Sequence, residues 1–190
     1  MCNLYSITIN QAAIIAHFRV INRLVGNLPP MPGVFPDYPA PVIREGEGGR
    51  EILMMRWSMP PPRAGGFPDA PEPNPETEKK DVLWFALTEE RPLFAFAGIW
   101  TMFNGDRGTK SKPIPGLHQV YGFPTTTANA VVQPIHAKAM PVILTTDEER
   151  DVWMCHRWLA GRHESGSLCE VHAVGRGNVC VAGLPAPKVT

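Results

Sequence analysis

The sequence predicts an α+β domain, β-rich, with mostly antiparallel strands and a few peripheral helices. A chain of 190 residues, 44% of them apolar, is long enough to enclose one core and short for two. Its 21 prolines and 17 glycines cut it into short pieces and leave room for few long helices. The apolar residues fall mainly in runs of strand length, and helical signals appear in only two places.

Taken in order, Asn3 to Ile9 sets Tyr5, Ile7 and Ile9 on one face and Leu4, Ser6 and Thr8 on the other, as a short strand does. Gln11 to Leu24 carries Ala12, Ile15, Phe18, Ile21 and Leu24 near a 3.6-residue period, predicting an amphipathic helix with His17 and Arg19 towards its polar side. Asn27 to Pro41 reads as an extended proline-rich loop. Pro41 to Arg44 and Glu51 to Trp57 form a hairpin around the turn from Glu45 to Gly49, with Trp57 in the core. Pro60 to Lys80 is too rich in proline and charge for regular structure.

Val82 to Leu87 and Leu93 to Trp100 are apolar runs that predict buried central strands joined at Glu89 to Pro92. Phe103 to Pro115 is a polar loop. His118 to Phe123 and Pro141 to Leu144 are further strands, and a helical turn at Thr127 to Val132 presents Ile135 and His136. Thr146-Asp147-Glu148-Glu149 has the form of a capping box and opens a helix through Trp153. Beyond about Leu159 no ordered element is predicted. The expected organisation is one domain over 1–154 and a divergent, poorly ordered tail over 155–190.

Eighteen basic and eighteen acidic residues give a formal net charge of zero, so no global field draws the chain to a polyanion or a membrane. The stretch from Ala12 to Val25 is interrupted by His17, Arg19, Asn22 and Arg23, which fits neither a signal peptide nor a membrane span. Four cysteines without a paired framework point to a reducing cytosol and free thiols. In the tail only Cys169-Glu170-Val171-His172 has ligand-like spacing, and no second pair completes a tetrahedral zinc set. No cofactor, metal or membrane is expected, and no feature indicates an oligomeric state.

Two residues carry candidate chemistry. Removal of Met1, which the small side chain at position 2 permits, makes Cys2 the amino terminus, with a thiol and a free amine on adjacent carbons. In unperturbed peptides that amine titrates at about pH 7.7–8.0 and the thiol at about 8.5. Such a pair captures aldehydes as a five-membered thiazolidine ring. His136, in the proline-bracketed Pro134-Ile135-His136 turn before a strand, is placed to move protons near neutral pH. An inert Cys2 and a solvent-facing turn histidine are the plainer readings of the same residues.

Met1-Cys2-Asn3-Leu4-Tyr5, Arg56-Trp57-Ser58-Met59-Pro60, Phe96-Ala97-Gly98-Ile99-Trp100, Thr125-Thr126-Thr127-Ala128-Asn129, and Ile135-His136 through Met140-Pro141-Val142-Ile143-Leu144 together resemble the SRAP family. These are the SOS response-associated peptidases, also described as abasic-site processing proteins. The resemblance spans about residues 1 to 154. It implies a β-rich fold with a positively charged groove for single-stranded DNA, a terminal Cys2 that captures the ring-opened aldehyde of an abasic deoxyribose, and His136 assisting sugar-ring opening and reversal. The peptidase label follows from release of the residue ahead of Cys2, here Met1. A cytoplasmic protein, nucleoid-associated when bound to DNA, is implied. Arg56, Arg63, Arg107, Lys110 and Lys112 are the available phosphate partners.

Two departures accompany the resemblance. Relatives carry, between the strand ending at Trp57 and the run from Val82, a segment with an Asn that orients the terminal Cys and a Glu that moves protons. Neither has a counterpart here. At Cys155 the likeness gives way to a Gly, His and Cys mixture. The alternative functional reading is therefore a degenerate, catalytically impaired member with at most weak single-strand binding. A general cysteine hydrolase using its terminal amine as base is a third.

Overall fold

The chain begins with β1 (Tyr5–Ile7), a strand of three buried residues. The computed structural model describes residues 4–59, 84–155 and 176–183. After β1 come α1 (Gln11–Phe18), β2 (Asn22–Arg23), β3 (Met31–Val34), β4 (Pro39–Gly46) and β5 (Gly49–Trp57). Then follow β6 (Phe94–Asn104), β7 (Arg107–Thr109), β8 (Lys112–Ile114), β9 (Leu117–Gly122), β10 (Thr125–Thr126), β11 (Met140–Pro141) and β12 (Ile143–Leu144). The last elements are α2 (Asp147–Cys155) and β13 (Arg176–Gly183).

The main sheet closes on itself. β6 pairs with β13, β13 with β4, and β4 with β5, all antiparallel; β5 then pairs in parallel with β9, which returns antiparallel to β6. The β-rich, mostly antiparallel fold with two helices is the one the sequence predicts; its closure into a small five-stranded mixed barrel is not foreseen there. Closure leaves none of the five with a fully open edge, which removes the template for edge-to-edge association. Val42, Ile43, Ile52, Met55, Val179 and Val181 are among the side chains sealed within the core.

α1 starts at Asn10, whose side chain accepts from the Ala13 amide at 2.9 Å, and ends when Arg19 turns left-handed at φ 54°. The helix is thus shorter than its apolar period suggests. Ile14 and Phe18 are its buried residues, whereas Ile21 and Leu24 lie beyond the helix and are exposed. The capping box forms as expected: Glu149 N–H donates to Thr146 Oγ1 at 3.1 Å and Thr146 N–H to Glu149 Oε2 at 3.0 Å.

Three further expectations are corrected. The loop from Asn27 contains β3, which pairs with β1. The loop after Phe103 contains the β7–β8 hairpin. Of the strand expected over Val82 to Leu87, Val82 and Leu83 lie outside the described residues, and Trp84 to Leu87 form neither strand nor core, all four being exposed. Its expected place beside β6 is filled by β13, which pairs with β6 from Phe94 to Thr101, while β9 and β12 share the opposite edge of β6. The tail therefore supplies a central strand where no element was expected. Its apolar run is only Val179-Cys180-Val181-Ala182, and pairing along both edges, more than local propensity, makes it a strand.

Candidate functional site

Tyr5 joins the separate stretches on which the resemblance rests. Its ring packs edge-on against Trp57, Phe96 and Phe123, with centroids 5.0, 5.9 and 5.6 Å away. Its hydroxyl meets that of Tyr121 at 2.5 Å. Burial pushes the ionisation of both phenols upward, so at neutral pH both remain hydroxyls, one donating to the other. Phe123 leads through Pro124 into β10. β10 pairs with β11, and Val142 bridges Pro124 and Ala97 by backbone hydrogen bonds of 3.1 and 2.9 Å.

This cluster fixes β1. Tyr5 opposes Val34 across the β1–β3 ladder, and a Cβ on Gly33 would lie 3.3 Å from the Leu4 side chain and 3.2 Å from the Phe35 ring. Leu4, Gly33 and Phe35 are therefore contiguous. Cys2 and Arg63 lie outside the described residues. Two chain links separate Cys2 from Leu4, a reach of at most about 7 Å between Cα atoms.

His136 stands at the end of a tightly bonded turn. Val132 and Gln133 donate to the Asn129 carbonyl at 3.1 and 2.8 Å, and Ile135 and His136 donate to the Val132 carbonyl at 3.0 and 2.8 Å. The Asn129 side chain accepts from the Val131 and Val132 amides at 3.1 and 2.9 Å. The imidazole is half-buried, on the segment between β10 and β11. The turn that the sequence predicts before His136 is present, centred slightly later than Thr127.

The basic residues divide into two groups. Arg56 donates to the Asp37 carbonyl at 2.5 Å and sits 3.5 Å from its carboxylate. Arg107 places Nη2 2.8 Å from Asp37 Oδ1 and donates to the carbonyls of Ser58 at 3.0 Å and Trp57 at 3.3 Å. Although Oδ1 is that close, it lacks hydrogen-bond geometry, so the contact is read as an ion pair. Both guanidiniums are largely engaged in holding the turn at Asp37. Lys110 and Lys112, by contrast, project from the exposed β7–β8 hairpin, which is tied to the same turn by Gly108 N–H donating to Asp37 Oδ2 at 2.7 Å.

Next to that turn lies an open cleft of about 420 Å³ on the outer face of the barrel, lined in part by Pro39, Met54, Arg56, Met102, Leu117 and His118. The family model of the SOS response associated peptidase (SRAP) matches residues 71–172, more than half of the sequence. The chain belongs to the SRAP family.

The SRAP match takes in three of the five stretches, those at Phe96, Thr125 and Ile135, and continues past Cys155 to residue 172. SRAP membership implies abasic-site processing and DNA crosslinking as the general role. A comparison with curated proteins gave no match. Among the described residues no group of three or more His, Cys, Asp or Glu side chains could hold a metal ion, and the Cys169-to-His172 pair lies outside them. No described helix is long and apolar enough to cross a membrane. Sequence reasoning did not single out the turn of Phe35, Asp37 and Tyr38 on which Arg56 and Arg107 converge. Their only signal was an aromatic pair bracketing Pro36-Asp37 inside a proline-rich loop.

Proposed function

We propose that this SRAP protein, once Met1 is removed, binds single-stranded DNA and traps an abasic site through Cys2. The terminal amine attacks the aldehyde carbon of the ring-opened deoxyribose and water leaves, giving an imine. The thiolate then adds to the imine carbon as the nitrogen takes a proton, closing a thiazolidine with net release of one water. His136 serves as the proton-transfer group that opens the sugar ring and, in reverse, releases the adduct. Release of Met1, by the chain itself or by an aminopeptidase, is the peptidase step.

The observation that carries this reading is the anchoring of β1. Tyr5 binds motif-bearing stretches together and holds Leu4 against Gly33 and Phe35, which supports a nucleophile that acts within two chain links of Leu4. Closure of the barrel by β13 supports a folded binding surface rather than a degenerate remnant. Without the Asn and Glu of its relatives, the chain lacks a positioned proton carrier that is commonly worth about a hundred- to ten-thousandfold in rate. Crosslinking is therefore expected to be slow rather than absent. The test is incubation with a single strand containing one abasic site: the native chain gives a heat-stable adduct and Cys2→Ala gives none. An adduct of equal yield from Cys2→Ala would refute the assignment.

A further inference from the structure

We infer that Phe35 and Tyr38 form a built stacking platform for an unpaired nucleobase, with the strand's phosphates following Lys110 and Lys112. The inference rests on the single-strand binding just proposed and assigns it a surface.

The two rings lie 5.6 Å apart at 61° and are 46% and 53% exposed. Two adjacent large aromatics left half in water forgo burial worth much of their apolar surface, yet the turn carrying them is unusually well fixed. Tyr38 N–H donates to the Phe35 carbonyl at 3.0 Å, Asp37 N–H to the Trp57 carbonyl at 2.8 Å, and Trp57 N–H to the Tyr38 carbonyl at 2.9 Å. Arg56 and Arg107 clamp Asp37 from the other side. Asp37 itself is held at φ 71°, a left-handed conformation uncommon for residues other than glycine and more accessible to Asp than to most. A loop needed only as a connection would not require this bracing.

The surroundings select the occupant. Asp37 is outnumbered by Arg56 and Arg107, and the hairpin it anchors adds Lys110 and Lys112 against the exposed Asp106, so the rim is cationic on balance. An aromatic face beside a cationic rim suits a single strand, whose bases offer π-faces and whose backbone is anionic. Phe35 also adjoins Leu4 through Gly33, placing the platform within a few residues of Cys2. A base stacked there would flank the abasic position, where the missing base leaves its neighbour without a stacking partner.

The test uses an undamaged single-stranded oligonucleotide carrying 2-aminopurine, so it does not depend on the covalent step. With the native chain the fluorophore should be quenched on binding. The Phe35→Ala/Tyr38→Ala double variant should lose that quenching and bind at least about fivefold more weakly, with the salt dependence unchanged. Lys110→Gln/Lys112→Gln should instead lower the slope of log affinity against log salt by about 1.4. Thermal melting checks that each variant folds, and Tyr38→Phe should keep the quenching that Tyr38→Ala loses. Unchanged quenching and affinity in the aromatic double variant would overturn the platform, as would concentration-dependent dimerisation that this variant abolishes, since a second copy would then be the occupant. Failure of crosslinking on abasic DNA with quenching intact would instead strike the proposed chemistry alone.

Discussion

At the end of α1 the His17 ring lies edge-on to Phe18, centroids 4.9 Å apart, with Nε2 buried and unpartnered among the described residues. Burial first, and then the neighbouring Arg150 guanidinium, hold its pKa below the usual 6.5, with Asp147 opposing. The folded state thus keeps this imidazole neutral where the unfolded chain would protonate it. Stability is then full above about pH 6.5 and falls as the pH drops towards the folded pKa, at no more than about 1.4 kcal/mol per pH unit for one proton. Thermal melting should show this decline as the pH falls below about 6.5, and His17→Gln should flatten it. Asp151, held low mainly by hydrogen bonds from Arg19 and then Arg50, contributes its own loss only at more acid pH. A melting temperature that declines identically in both proteins would refute the assignment. The same limit on local reading explains Arg56 and Arg107: their charge was visible in the sequence, but their shared partner Asp37 sits in a loop with no periodic pattern to announce it.

The elements that were legible are those whose pattern is local. The β4–β5 hairpin, the α2 capping box and the turn before His136 follow from alternation, spacing and proline placement within a few residues. β13 was not, because its apolar run is short and its support comes from strands distant in sequence. The six-residue run from Val82 offered a stronger local signal for the place beside β6. The seam between β6 and β13 is tight. Gly98 opposes Val179, and a Cβ there would lie 2.7 Å from Val179 Cγ2 and 3.3 Å from the Val179 carbonyl oxygen. Above the seam, Trp153 Nε1 donates to the carbonyls of Gly98 at 3.2 Å and Val179 at 3.1 Å. Gly98→Ala is accordingly expected to destabilise the fold by about 1–3 kcal/mol in denaturant titration. Adding Val179→Ala should recover part of that loss, a non-additivity that neighbouring sites show. Strictly additive losses would argue against this contact.

For the whole molecule, the fold class was readable from composition and run length, whereas closure of the barrel was not, since no local pattern states which distant strands meet. Closure makes the C-terminal region structural. A chain ending at Cys155 would leave β4 and β6 with open edges and Ile43 and Phe96 without the neighbours that cover them. It should lose cooperative thermal unfolding and associate, and a sharp transition equal to that of the full chain would contradict the role given to β13. The barrel in turn supports β1 and the Asp37 turn through Trp57, and the proposed chemistry begins at Cys2. Its most direct test is the intact mass of the protein after incubation with single-stranded DNA bearing one abasic site. The account predicts a species equal to the chain without Met1 plus the oligonucleotide less one water, absent from Cys2→Ala. Retention of Met1 in the adduct, or an adduct of the same mass and yield without the Cys2 thiol, would contradict it.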